Sequence, residues 1–382
     1  MTRRPTSLAK KYFEKLICGF ALAISFLPMR LEAADSTTTT TPKITWNALV
    51  DVYYSKNFNS PANQLNNFRN FDIYDNQLGL SLAKLTVQEQ AQPVGFRVDV
   101  GFGTANDIVQ GLTNPLTGAT GAATSTLNLV EQAYLTAVLP IGSGLTVDLG
   151  KFVTMMGNEV IESNGNWNYS RSYLFAFAIP YYHTGMRLTY PVSSTFTVAL
   201  HIVNSWNTTI DNNHSKSVGL GLTYSPSSST SIILSGMSGF EQPFGAPYGK
   251  KDVGEIIIGQ ALGDNLSLAV DADYGQERVG GFLNLWKGVA IYAKYALDAK
   301  SDVAARGEVY YDPFDYTTGV FLPKATFKEV TLTYEYRPWG PLMLRIEARD
   351  DFANGKAFVS ASTPFPNRNS QPTLTVGVVT SF

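Results

Sequence analysis

The 382-residue sequence predicts an all-β protein, a transmembrane antiparallel up-and-down β-barrel of about 16 strands, to within about two. Three observations predict it. Apolar side chains recur at every second position along most of the chain. No window sustains helical periodicity or holds the roughly 18 consecutive apolar residues of a membrane-spanning helix. The connections between the alternating runs are short and long by turns.

The amino-terminal segment is set apart from this pattern. Arg3, Arg4, Lys10, Lys11 and Lys15 precede the apolar run Leu16 to Leu27, and the stretch from Pro28 to Ala34 ends in small residues. This is the layout of an export signal, expected over 1–34 with cleavage after Ala34. The single cysteine, Cys18, leaves with it, so the remaining chain has no disulfide. Three histidines and one cysteine cannot build a structural zinc site. Loss of the segment leaves a chain with a net charge of about −6 and no basic footprint for nucleic acid. Residues 35–42 (DSTTTTTP) read as a polar spacer with nothing to bury, and folded structure is expected over 43–382.

Strands are expected near 44–55, 73–90, 95–104, 127–139, 145–155, 183–191, 195–205, 217–225, 230–240, 252–261, 266–276, 285–297, 303–312, 326–337, 342–352 and 372–382. In one of them Phe96, Val98, Val100 and Phe102 oppose Arg97, Asp99, Gly101 and Gly103. In another Leu342, Leu344, Ile346 and Ala348 oppose Met343, Arg345, Glu347 and Arg349. Tight connections fall at 91–94, 140–144, 192–194, 226–229, 262–265, 298–302 and 338–341, and the intervening ones, such as 105–126, 156–182 and 353–371, are much longer. Gly101-Phe102-Gly103 reads as a strand end with no helix after it.

An exported sheet whose strands have one oily and one ionic face, with turns at one end and loops at the other, fits an outer-membrane barrel with short periplasmic turns and long extracellular loops. A secreted sandwich or propeller also alternates, but its oily faces would be interrupted by charge more often. Tyr53, Tyr54, Tyr74, Tyr134, Tyr190, Tyr224, Tyr292, Tyr295, Tyr310, Tyr311 and Trp339 stand toward strand ends, where an interfacial girdle is expected. Phe382 closes an alternating strand and resembles the signal read by the outer-membrane barrel assembly machinery.

Between Asp148 and Tyr190 the order Gly-Lys-Phe-x-Thr, Gly-x-Glu, Asn-x-x-Tyr-Ser-Arg-Ser-Tyr, Pro-x-x-His-Thr-Gly resembles the OmpL-like β-barrel porin family of Gram-negative outer membranes. That resemblance implies a barrel in the outer membrane and a channel activity, without naming a solute.

A barrel of this size is too wide for inward side chains to fill, so an aqueous channel for small hydrophilic solutes or ions is expected. Asp51, Arg97, Asp99, Asp148, Arg187, Glu255, Asp271, Asp273, Lys294, Arg306, Glu308, Glu335, Arg337, Arg345, Glu347 and Arg349 fall on the inward rows and are expected to line it as a wall facing water. The connection 156–182 is the candidate for a segment folded into the pore. Its Glu159, Glu162 and Arg171 are expected at a constriction, with its charges opposite Arg345 and Arg349. The acidic surplus suggests a slight cation preference.

No catalytic residues, cofactor or metal are expected. Asp271-Ala272-Asp273 resembles the start of a calcium loop, but no downstream Glu completes it, and strand alternation accounts for both aspartates. No Gly-x-Ser-x-Gly elbow accompanies His183, His201 or His214. The expected partners are outer-membrane lipid, the assembly machinery and small solutes, with a homo-oligomer admitted. The alternative is an adhesin acting through its long loops, such as 313–325 and 353–371.

Overall fold

The structure is a computed structural model that describes residues 43–121, 126–247 and 249–382. The expected export signal and spacer lie outside the described residues. Sixteen antiparallel strands close into a barrel: β1 (Ile44–Asn57), β2 (Gln77–Glu89), β3 (Val94–Phe102), β4 (Val130–Leu139), β5 (Leu145–Val153), β6 (Tyr182–Pro191), β7 (Phe196–Val203), β8 (Ser217–Ser227), β9 (Thr230–Phe240), β10 (Lys250–Leu262), β11 (Leu266–Val279), β12 (Phe282–Ala296), β13 (Ser301–Asp312), β14 (Ala325–Tyr336), β15 (Leu342–Ala353) and β18 (Ser370–Ser381). Each strand pairs with its neighbours in the chain, and β1 closes on β18 in the register Tyr53 to Gly377. Between β15 and β18 a separate hairpin, β16 (Phe358–Ser360) and β17 (Thr363–Arg368), stands on the loop end.

Closure satisfies every strand edge, which a bilayer requires because it offers no hydrogen-bond partners of its own. The alternation sets the faces. Along β14, Thr331, Thr333 and Glu335 are buried inside while Val330, Leu332 and Tyr334 are exposed outside. Along β15, Arg345, Glu347 and Arg349 point in and Ile346 points out. The outward residues form an apolar band that includes Leu135, Leu149, Leu220, Ile256, Ile291, Val309 and Val376.

Four expectations are corrected. The strand expected from 73 begins at Gln77, because Asp72 to Tyr74 belong to a loop whose Ile73 is fully buried. The external connection between β11 and β12 is only Gly280-Gly281, both with positive φ, since both strands run on past their expected ends. A short helix, Thr104–Val109, follows Gly103 and buries Ala105, Ile108 and Val109; so short a segment carries too little periodicity to be read. The girdle is also narrower than expected. Tyr54, Tyr224, Tyr295 and Trp339 are exposed, whereas Tyr53, Tyr292 and Tyr310 are buried inside and Tyr74 packs in the first long loop. Adjacent residues such as Tyr53 and Tyr54, or Tyr310 and Tyr311, cannot share a face of a strand.

Inside the barrel lies a continuous core rather than an open bore along its whole width. Loop 154–181 enters from between β5 and β6, and its Tyr169, Tyr173, Leu174, Phe175 and Ala178 are buried among Tyr53, Phe71, Trp286, Tyr310 and Phe327. Loop 58–76 caps it: Phe71 meets Phe175 edge-on with ring centroids 5.8 Å apart, and Phe68 lies 4.9 Å from Phe327 and 6.0 Å from Phe358 of the hairpin. Two glycines make room. A Cβ on Gly377 would stand 2.5 Å from the Tyr169 ring, and one on Gly275 would stand 2.1 Å from Trp286.

Candidate functional site: the inward loop and the space beside it

The wall holds the inward loop by its peptide groups. Glu347 accepts the backbone N–H of Tyr169 at 2.6 Å and of Ser170 at 3.0 Å, together with the Thr333 hydroxyl at 2.7 Å. Glu308 accepts the N–H groups of Tyr173 and Leu174, both at 2.7 Å. In the opposite sense, Arg345 donates to the carbonyls of Ser163 (2.6 Å), Asn168 (3.3 Å) and Asn166, and Arg349 donates to the carbonyl of Arg171 at 2.6 Å. Hydrogen bonds with one ionised partner are the strong ones, and the charges of Glu347, Arg345 and Arg349 all belong to the wall.

Three aromatic side chains of the loop and wall add to this grip. The Tyr169 hydroxyl donates to Asp51 at 2.8 Å, and the Tyr173 hydroxyl donates to Asp351 at 2.7 Å. Trp286 donates its indole N–H to the carbonyl of Ala178 at 3.1 Å.

The loop's own charges therefore sit elsewhere than expected. Glu159 pairs with Arg306 at 2.5 Å and accepts the Ser172 N–H at 2.7 Å, and Glu162 pairs with Lys84. Arg171 turns back into its own loop, donating to the carbonyls of Val160, Tyr169 and Ile161. Carbonyl groups, not carboxylates, face Arg345 and Arg349, because those guanidiniums already have Glu335 and Asp351 on their own wall. Arg306 likewise keeps a wall partner, Glu329, at 2.6 Å.

The inward charges divide into two groups. Asp51, Asp99, Asp148, Glu255, Asp271, Asp273, Arg306, Glu308, Glu335, Arg345, Glu347 and Arg349 are all buried, most of them against the loop, so the expectation of a uniformly wetted wall is corrected for this set. The guanidiniums of Arg97 and Arg187 and the amine of Lys294 and guanidinium of Arg337 keep side-chain exposures of 31%, 23%, 27% and 37%. Arg97 pairs with Asp99 at 2.9 Å, and Arg187 with Asp148 at 2.8 Å. Lys294 and Arg337 share Asp302 near the turn end.

Open space survives beside the loop in two places. A cavity of about 250 Å³ lies between Met155 to Glu162 of the loop and the wall residues Arg97, Gln132, Tyr134 and Arg187. Toward the turn end a second cavity of about 400 Å³ is bounded by Asn158 and Trp167 above and by Ser225, Ser227, Gln260 and Ser267 around it. The two meet the loop at neighbouring residues, Glu159 and Asn158.

Several contributors to this arrangement are absent from the expected set: Lys84, Glu329, Asp351, Trp286 and Arg69. Arg69 of loop 58–76 bonds Asp351 and the Thr373 hydroxyl, each at 3.1 Å. Glu329 and Asp351 continue the inward alternation of their strands by one step at the edge of the expected run, so the signal for them was present. The aromatic and asparagine run of loop 58–76 has neither period and carried none.

Residues 43–382 match the family described as putative beta-barrel porin-2, OmpL-like. The chain belongs to this porin family. The porin is an outer-membrane protein of the Gram-negative type, and its family function is that of a passive channel. Its fold is similar to that of an anion-selective porin from Comamonas acidovorans (TM-score 0.60, 12% identity, covering 89% of this chain and 99% of that one). It is also similar to OmpT, an outer membrane protein of Vibrio cholerae (TM-score 0.57, 11% identity, 89% and 97% covered). A third likeness is to the outer membrane channel DcaP of Acinetobacter baumannii (TM-score 0.57, 12% identity, 89% and 97% covered). At these identities the likeness is one of fold. No curated protein matches the porin in sequence.

Proposed function

We propose that small hydrophilic solutes and ions cross this porin on one side of the lumen, between loop 154–181 and the wall of β3 to β6. The observation that carries the reading is the cavity of about 250 Å³ at that place; a second of about 400 Å³ lies toward the turn end against β8 to β11. The loop is bonded to β1, β2 and β10 to β15, and the cavity on its other flank opens against Arg97, Gln132, Tyr134 and Arg187 of β3, β4 and β6.

The charges left in contact with this path are the guanidiniums of Arg97 and Arg187 and the carboxylate of Glu162, with side-chain exposures of 31%, 23% and 22%. Their partners Asp99 and Asp148 lie deeper, at 0% and 6%. A cation-rich lining of this kind favours anions slightly, the reverse of what total composition suggests, because most of the acid is buried or lies off the path. Glu159, Glu162 and Arg171 act in this reading by shaping the constricting loop, and only Glu162 meets the passage with part of its charge.

Passive conduction rather than catalysis is the reading that the family supports. The long loops 58–76 and 154–181 bury their aromatic residues in the lumen, which favours a channel over a barrel that works through outward loops. We assign Phe382 to recognition by the assembly machinery, since it follows β18 with an exposed ring while its backbone pairs with Ala48. Single-channel recording of the purified chain in planar bilayers with ion substitution tests the reading. Ohmic steps with a small anion preference are expected, and a protein that inserts but passes no current rules it out.

A further inference from the structure

Two clusters of three carboxylates lie inside the barrel, each with one oxygen per residue placed within 4.8 Å of the others: Asp99, Glu131 and Glu162, and Glu255, Asp271 and Asp273. The first has its own cation. Lys84 reaches Asp99 at 3.6 Å and Glu131 at 3.9 Å and bonds Glu162. The second has none: among the described residues no lysine, arginine or histidine forms a salt bridge with Glu255, Asp271 or Asp273. Its residues are 5%, 2% and 4% exposed.

An independent observation concerns what those oxygens lack. Glu255 is satisfied by the Gly157 N–H at 2.6 Å and the Ser235 hydroxyl at 2.5 Å. Asp271 accepts only the Asn158 N–H, at 3.3 Å, and its other oxygen has no donor. Neither oxygen of Asp273 meets any donor of the described residues. The hydroxyl of Tyr292 is also unpartnered; it lies on the same inward face of β12, paired with Ala269 two places from Asp271. A buried carboxylate without donor or counter-charge is costly and must take up either a proton or a cation.

We propose that Glu255, Asp271 and Asp273 bind a divalent cation of the calcium class, which fastens the start of loop 154–181 to β10 and β11. Hard carboxylate oxygens with no nitrogen or sulfur select calcium or magnesium over zinc or copper. Calcium tolerates a flexible shell of oxygen ligands, whereas magnesium demands a tighter octahedral one. The cross-strand register makes the site: Glu255 pairs with Asp273, and Asp271 with Ile257. Access comes from the 400 Å³ cavity, whose wall includes Gly259 and Ala269, one inward step along the same strands from Ile257 and Asp271. The sequence pattern of a calcium loop is not needed, because the third carboxylate comes from the neighbouring strand.

The test uses the full chain purified in detergent, stripped with chelator and titrated with radioactive calcium and with terbium. One ion per chain is expected, with terbium emission sensitised by nearby tyrosine. The Asp271→Asn/Asp273→Asn variant should lose at least about tenfold in affinity. Glu131→Gln, in the cluster that already holds Lys84, should bind as the parent does. A heat-shift gel confirms that each variant is folded, and if the double variant does not fold, the parent alone decides by whether calcium raises its unfolding temperature after stripping. Sub-stoichiometric uptake, equal uptake by a folded double variant, or infrared bands of protonated Asp271 and Asp273 in calcium would overturn the proposal. Binding is read without current, so a chain that takes up calcium yet conducts nothing sinks the transport reading alone.

Discussion

The carboxylate of Glu347, on the wall, accepts the backbone N–H of Tyr169, in the inward loop, at 2.6 Å. The next amide, that of Ser170, bonds the other oxygen of the same group at 3.0 Å. Two successive peptide N–H groups of a buried loop have no water to fall back on, so this carboxylate decides whether the loop can stay where it is.

Glu347→Gln keeps the shape and removes the charge. Each charge-assisted hydrogen bond contributes about 1.5–3 kcal/mol, so the loop's hold on β15 should weaken by a few kcal/mol. The expected outcome is a larger and noisier single-channel current with a lower unfolding temperature on heat-shift gels. An unchanged current with an unchanged transition would show that Glu308, Arg345 and Arg349 hold the loop without it.

Gly377→Val places a side chain where Tyr169 now lies, with the first carbon only 2.5 Å from the ring. Overpacking of this kind costs about 1–3 kcal/mol. Refolding yield in detergent should fall. Tyr169→Ala in the same chain should restore it, and a double-mutant cycle measures the coupling. Additive losses would mean that the two positions do not meet.

Arg187 lies beside the passage, paired with Asp148 and stacked 4.8 Å over the Phe152 ring. Arg187→Gln removes the positive charge and leaves Asp148 uncompensated. The reversal potential in a salt gradient should move toward cations, with the anion-to-cation permeability ratio falling roughly twofold, the scale of one partly exposed charge. Lys294→Gln, near the turn end, should change it less.

Deletion of Phe382 removes the pairing of its N–H and carbonyl with Ala48, at 2.8 and 3.0 Å, and an exposed ring at the seam of the barrel. The fraction of chain recovered in the outer membrane in heat-modifiable form should drop several-fold, on the order of a 1 kcal/mol handicap in assembly. Phe382→Tyr should keep most of it. Equal recovery of the deletion would remove the residue from the assembly signal.

The wall was legible in the sequence because strand alternation is a local property. The inward placement of Arg97, Asp99, Glu335, Arg345 and Glu347 needs only a parity count along one strand. Which of these residues meets water is a property of the loop that crosses the lumen, and a parity count says nothing about it. Glu159 pairs with Arg306, separated from it in the chain by the seven strands β6 to β12, and Arg69 reaches Asp351 from the first loop. Such partners are fixed by how backbone carbonyls and amides present themselves to the wall, and that presentation leaves no trace in residue type. The missed girdle positions have the same origin: Tyr53, Tyr292 and Tyr310 carry the aromatic label of an interface but the parity of the interior.

Because the inward loop is gripped chiefly through its peptide groups, its grip is largely indifferent to which side chains it bears. Those positions along 154–162 that border the open space and pair with no wall charge, unlike Glu159 and Glu162, can drift under selection without loosening the scaffold, while the wall charges cannot. Diversification of what such a barrel admits would therefore be concentrated in a few unanchored side chains, on a framework that stays the same from one variant to the next.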